Sequence, residues 1–268
     1  GLHLVQAAEF YPIPSVQHNS LNNFIRKNYI GEFGLDPSKA LLINSDEITL
    51  AEGKNYAEIF PDYLIDLSLR YREAKNHIEL LQKRSILEID NWCCTYEQKI
   101  RDKGGIGFYL GGIGPDGHIA FNTRGSGHFS ATRLTETNFE TQAVAATDLG
   151  GIEVSRTRLV ITIGLGTIAF NPDVKAIIYA AGEANADIVK SSLESEPSNK
   201  YPATVLQHLK NSRFYLTHGA AVKLEDSLDS FFRSGPWTHQ KTERAVIDLC
   251  SKINKFGSKL ELADLKTD

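Results

Sequence analysis

Methionine is absent from all 268 residues, initiator included, so the sequence is expected to begin inside a longer polypeptide. Cysteine is nearly absent as well, with Cys93, Cys94 and Cys250 only. Adjacent cysteines do not close an ordinary disulfide and the count is odd. This excludes a disulfide scaffold and predicts a reducing, cytoplasmic compartment. No uncharged apolar run approaches the roughly 20 residues of a membrane span, which predicts no membrane partner. The opening Gly1-Leu2-His3-Leu4-Val5 lacks the basic leader of a secretory signal. Basic residues are not in excess: 29 Lys and Arg stand against 33 Asp and Glu, with a pI near 6.1. That balance offers nucleic acid or anionic lipid no attracting field, so a small-molecule partner is expected and no nucleic acid. Gly164-Leu165-Gly166-Thr167 lacks the third glycine of a dinucleotide fingerprint, and Cys93-Cys94 has no second Cys/His pair at ligand spacing. Neither a cofactor nor a metal is expected.

What is present is ordinary for a globular chain, 41% hydrophobic and 23% charged. Leu2 to Ala7 reads as a buried strand ending before Pro12, and Asn19 to Ile30 carries Leu21, Phe24, Ile25 and Ile30 at helical spacing. Residues 45 to 90 are charge-rich and read as a lobe inserted beside the core. Trp92 to Lys103 reads as an amphipathic helix stopped by Gly104-Gly105, followed by a strand over Ile106 to Leu110. Strands at Arg158 to Ile163, Val174 to Ala181 and Ser212 to Leu216 alternate with helices at Ala184 to Leu193 and Ala203 to Leu209. The alternation predicts one α/β domain over 1–268, built on an open, mostly parallel sheet with helices on both faces. Terminal helices are expected over Ala221 to Phe232 and His239 to Ile253, with 236–268 as a C-terminal extension.

The densest signal is Leu110-Gly111-Gly112-Ile113-Gly114-Pro115-Asp116-Gly117-His118-Ile119-Ala120-Phe121-Asn122. It follows a buried strand directly, which in an open parallel sheet is the edge where ligands bind. Gly111, Gly112 and Gly114 let backbone amides approach a ligand. A turn at Gly117 lets Asp116 and His118 face one cavity, the carboxylate orienting the ring for proton transfer. A tight turn with a structural histidine accounts for the same residues in isolation. Thr123, Arg124 and Arg133 stand just beyond, and an arginine fork suits a phosphate or carboxylate.

The ordered string resembles the glycine-rich segment of glucosamine-6-phosphate deaminases and, more loosely, that of 6-phosphogluconolactonases. Thr132-Arg133-Leu134, Thr162-Ile163-Gly164-Leu165-Gly166-Thr167, Ala180-Ala181-Gly182-Glu183-Ala184 and Glu9-Phe10-Tyr11 extend the likeness over about residues 2 to 30 and 90 to 220. The resemblance implies a cytosolic aldose-ketose isomerisation with loss of ammonia, acting on a phosphosugar without a metal, often in a homo-oligomer. It also implies His118 as the ring-opening acid or base, Asp116 as its orienting partner, and Gly112 as a backbone contact to sugar. The departures are specific. Ala8 stands where the family has its proton-transfer aspartate, which leaves Glu9 as a displaced candidate. Thr123 follows Asn122 where a relay glutamate is expected, and Asn185 takes the place of a phosphate lysine. A phosphate arginine expected near Thr147-Asp148 is absent, and so is a Gly/Ser/Thr-rich phosphate loop. Two alternatives therefore accompany deamination: hydrolysis of a sugar lactone by a water that His118 activates, and a catalytically silent sugar-phosphate-binding subunit.

Overall fold

The apolar start of the chain folds into two short strands, Leu4–Val5 (β1) and Ala8–Tyr11 (β2), in a computed structural model that describes residues 1–224, 232, 233 and 235–252. All of β2 is buried, so Glu9 to Tyr11 lie within a strand. Helix α1 (Leu21–Ile25) opens on Ser20, whose hydroxyl accepts the Asn23 amide, and continues as a wider turn over Arg26–Gly31. Strand β3 (Ala40–Leu41) pairs in parallel with β1. Helix α2 (Tyr56–Ile59) is closed at its start by reciprocal bonds between Asn55 and Glu58.

The long helix α3 (His77–Asp102) starts well before the expected Trp92. Its first half mixes charged Glu79, Lys83, Arg84 and Glu88 with exposed Ile78 and Leu87, while Leu81, Ser85, Ile86, Ile89, Cys93, Tyr96 and Ile100 form a buried stripe at helical spacing. Gly104 and Gly105, both in the left-handed region, stop it. Ile48, Leu50, Ile59, Phe60 and Leu69 of the charge-rich 45–90 stretch enter the same core as Ile161 and Ile178 of the strands. Each fully buried Ile or Leu there contributes about 1.5–3 kcal/mol.

Beyond α3 come β4 (Phe108–Gly112), β5 (Arg133–Thr135), α4 (Phe139–Leu149), α5 (Ile152–Thr157), β6 (Leu159–Thr162) and α6 (Leu165–Ile168). They are followed by β7 (Lys175–Ala180), α7 (Ala186–Glu194), β8 (Arg213–Leu216) and α8 (His218–Ala221). The segment expected as a helix near 203–209 is a tighter 3₁₀ turn over Pro202–His208. The class is α/β, with parallel pairing in β1–β3 and in β4–β7–β8. A third group, β2–β6–β5, is antiparallel, with Phe10 opposite Val160 and Leu134 opposite Ile161. Every residue of β6 is buried, as its unbroken apolar run anticipates.

These elements belong to a compact unit spanning Gly1–Lys223, and Leu224–Asp268 forms a second. In the second, helix α9 (His239–Lys252) begins beside Thr238, and the Lys241 ammonium sits 5.6 Å from the Trp237 ring centre. Most of the expected Ala221 to Phe232 helix, and all of 253–268, lie outside the described residues. Among the described residues no helix is long and apolar enough to cross a membrane.

Candidate active site

The parallel strand β4 delivers the glycine-rich string to its carboxyl end, where the chain turns sharply. The Gly117 amide donates to the Gly114 carbonyl at 2.9 Å, and the Gly114 amide donates to the His118 carbonyl at 2.9 Å. Gly117 holds φ at +82°, a conformation that side chains with a Cβ rarely adopt. Gly114 is required for a different reason: a Cβ there would lie 1.9 Å from Cε1 of His118, so the imidazole rests directly on that backbone.

The turn puts Nδ1 of His118 2.5 Å from Oδ1 of Asp116. The Asp116 side chain is buried, and its other oxygen accepts the Arg124 amide at 2.8 Å and the Asn138 side-chain amide at 2.6 Å. Burial pushes this carboxyl upward, but the bonds from His118 and Arg124 outweigh it and hold it at about 2. Asp116 is thus an acceptor at neutral pH. Nδ1 of His118 carries the hydrogen of that bond, which leaves the lone pair of a neutral ring on Nε2. Phe121 stacks on His118, with centroids 6.1 Å apart, and meets Phe10 of β2 edge-on at 5.3 Å.

Behind the turn, buried Asn122 donates to the Ile119 and Ile163 carbonyls and accepts Nη1 of Arg133 at 2.8 Å. Nη2 of Arg133 reaches the Ser126 hydroxyl at 2.9 Å. None of these partners is a carboxylate, and burial lowers the pKa of the guanidinium. The side chain of Arg124 is exposed, and Thr123 is tied by its own backbone to Phe121 and Ser126.

One contributor was not legible as a site residue. Asn138 accepts the Thr141 amide as the N-cap of α4 while donating to Asp116, and its position before a helical stretch was the available signal. Glu97, on α3, accepts from the Thr132 amide and hydroxyl, the Thr167 hydroxyl and Nε of Arg101. Burial opposes its charge, but the bonds from Thr167, Thr132 and Arg101 prevail and lower its pKa. The Gly164–Thr167 segment packs too closely for a ligand loop: a Cβ on Gly164 would fall 1.8 Å from the Ser130 carbonyl oxygen. Among the described residues no group of three or more His, Cys, Asp or Glu is placed to hold a metal ion.

No family model matches the chain. Among curated proteins it is 32% identical over 200 residues to the glucosamine-6-phosphate deaminase of Clostridium perfringens, covering 71% of this chain and 77% of that one. The chain belongs to the glucosamine-6-phosphate deaminase family. The deaminase of Borrelia hermsii is 28% identical over 211 residues, covering 78% of this chain and 77% of its own. Two solved structures share the fold. A monomeric glucosamine-6-phosphate deaminase superposes with a TM-score of 0.60 at 21% identity, covering 82% of this chain and 74% of its own. The 6-phosphogluconolactonase of Leishmania guyanensis gives 0.53 at 15% identity, covering 83% and 74%.

Strand β2 carries two positions that the resemblance singles out, Ala8 and Glu9. Ala8 shares the Phe10 side of the strand, because side chains alternate, and brings no carboxylate to it. Glu9 points the other way and is saturated. It accepts from the amides of Phe10, Leu21 and Asn22, from the Ser20 hydroxyl and from the Gln6 side chain, and so anchors the start of α1. Burial raises its pKa against those bonds. Glu9 is therefore not brought together with Asp116 and His118. Glu9→Ala is expected to lower stability by about 2–4 kcal/mol, because it strands several buried donors; urea unfolding measures this, and a change below about 0.5 kcal/mol would contradict the anchoring role. Asn185, where the resemblance places a lysine, spends its side-chain amide on the Ala181 carbonyl.

Proposed function

We propose that this chain acts on a phosphosugar, with His118 transferring protons and Asp116 holding its ring. The observation that supports this reading is the 2.5 Å Asp116–His118 bond at the end of β4. Nε2 would take a proton from the sugar's anomeric hydroxyl and return it to the ring oxygen, opening the ring. Isomerisation with release of ammonia would follow, as the names of the curated relatives suggest for those proteins. Gly111, Gly112 and Gly114 would contact the sugar through their backbone, with Thr123 beside them. Arg124 and Arg133 would attract the phosphate.

Ala8 favours a second reading. Moving a proton between two carbons needs a base on the sugar's face, and β2 offers none on the Phe10 side, whereas lactone hydrolysis needs only a water activated by His118. Supplying glucosamine 6-phosphate and a 6-phosphogluconolactone to the same protein separates the two. Ammonia and fructose 6-phosphate identify the first, and acid release from the lactone alone identifies the second. If neither forms, yet glucosamine 6-phosphate raises the melting temperature, the catalytic reading fails and a binding subunit remains.

Arg124→Ala is expected to weaken binding of glucosamine 6-phosphate about tenfold, the loss of roughly 1.4 kcal/mol at one charged contact, while leaving the chemical step within about twofold. Titration calorimetry on both proteins checks it, and equal affinities would remove Arg124 from the site.

A further inference from the structure

A cavity of about 320 Å³ opens between the second half of α3 and the strand β3, apart from the glycine-rich turn. Its volume lies within the range of small-ligand sites. Trp92 and Tyr96 of α3 form one wall, stacked with ring centres 5.2 Å apart and planes 23° from parallel. Tyr96 is fixed, because its hydroxyl donates between the Gln6 and Leu41 carbonyls at 2.8 and 2.9 Å. An indole backed in this way offers its other face to a flat ring.

The strand supplies polar groups of known direction. The Leu41 carbonyl accepts the Gln6 amide at 3.0 Å, so Leu41 turns its backbone groups to β1. Backbone groups alternate along a strand, which turns the Ala40 carbonyl and the Leu42 amide to the edge that no strand covers among the described residues. An acceptor and a donor two residues apart on one edge match the amino group and the adjacent ring nitrogen of adenine. Guanine presents the reverse there, an oxygen beside an N–H.

Cations complete the groove. Arg26 spends Nε on Oδ1 of Asn22 at 2.8 Å, and neither Arg26 nor Lys99 forms an ion pair among the described residues. The carboxylates beside them are already engaged: Glu47 accepts the Asn44 side-chain amide at 3.0 Å, and Asp102 that of Gln98 at 2.7 Å. Two unpaired cations facing one cavity, in a chain of net charge −4, mark a local field that attracts an anion such as phosphate.

We propose that this groove binds an adenosine phosphate, with adenine on the Trp92 ring and against the edge at Ala40 and Leu42, and with its phosphates at Arg26 and Lys99. The site uses no residue of the glycine-rich turn and does not rest on the phosphosugar reading.

Calorimetric titration of the 268-residue chain with ADP is expected to show a saturable site, with GDP at least about tenfold weaker because its ring groups meet their like at the strand edge. Ribose 5-phosphate, which carries no base, should not displace ADP. In a Trp237→Phe background, where Trp92 is the remaining indole, ADP should quench the fluorescence. Lys99→Glu, at an exposed position, is expected to weaken ADP at least about tenfold with circular dichroism unchanged. Lys175→Glu, an equal change of charge elsewhere on the surface, should leave ADP affinity unaltered. Trp92→Ala should abolish binding, and if it misfolds the Lys99→Glu comparison still decides. No saturation by ADP, equal affinity for ADP and GDP, or equal affinity for ADP in Lys99→Glu and the unaltered chain overturns the proposal. Displacement of ADP by ribose 5-phosphate overturns it too, because the base would then contribute nothing.

Discussion

His118→Asn is expected to lower turnover by about 10²- to 10⁴-fold, the usual worth of a positioned general acid or base, with the fold retained. Asparagine keeps a polar side chain beside Asp116 but cannot accept and return a proton near neutral pH. Asp116 keeps its bonds from the Arg124 amide and Asn138, so the buried carboxylate is not stranded. The loss of stability should stay within about 1–2 kcal/mol. The measurement is the initial rate on whichever substrate the chain turns over, beside a thermal melt of each protein. A variant that keeps half the activity removes His118 from the chemistry; one that loses activity only by unfolding leaves the assignment without support.

Gly114→Ala should be nearly as damaging although it alters no polar group. The added Cβ would lie 1.9 Å from Cε1 of His118, far inside van der Waals contact, so the ring must leave its position. Its freedom to do so is limited by Asp116 on one side and the Phe121 ring on the other. A displacement of about 1 Å in a reacting group costs on the order of 100-fold in rate. Gly125→Ala is the control. Gly125 also adopts positive φ, at +96°, but nothing lies within 4 Å of its added Cβ, so only backbone strain is introduced. Gly114→Ala should lose the downfield resonance of the Nδ1 proton that His118 shares with Asp116 together with turnover, and Gly125→Ala should keep both. Retention of that resonance and of full activity in Gly114→Ala would mean that the contact is not a constraint.

How far these features could be read from the residues depended on how local their causes are. The Asp116-Gly117-His118 turn was legible because the bonds that close it lie within five consecutive residues, Gly114 to His118. The strands β6 and β7 were legible because burial imposes apolar runs bounded by turn residues. The first half of α3 was not, since exposed Ile78, Leu80 and Leu87 place apolar residues off the buried stripe and blur its helical period. Glu97 looked like any helical glutamate on a solvated face. What buries and charges it are Thr132 and Thr167, brought to it from 35 and 70 residues away. Glu9 was read as a candidate base because an acid at a strand end has several uses; only the arrival of α1 shows its oxygens to be occupied. The antiparallel placement of β6 against β2 was hidden for the same reason, because a strand's own sequence does not name its neighbour.

Asn138 ties two scales of the molecule together. One side chain closes the first turn of α4 through its oxygen and restrains Asp116 through its nitrogen, so the helix start and the placement of the His118 ring depend on a single rotamer. Fraying of α4 at that end releases one of the two donors on the outer oxygen of Asp116, and the carboxylate that fixes His118 then gains freedom to swing. The sharpness of the ring's aim is in this way set by the firmness of a helix that carries no reacting group itself. A change on α4 would register in the aim of the His118 ring before it registered as loss of fold.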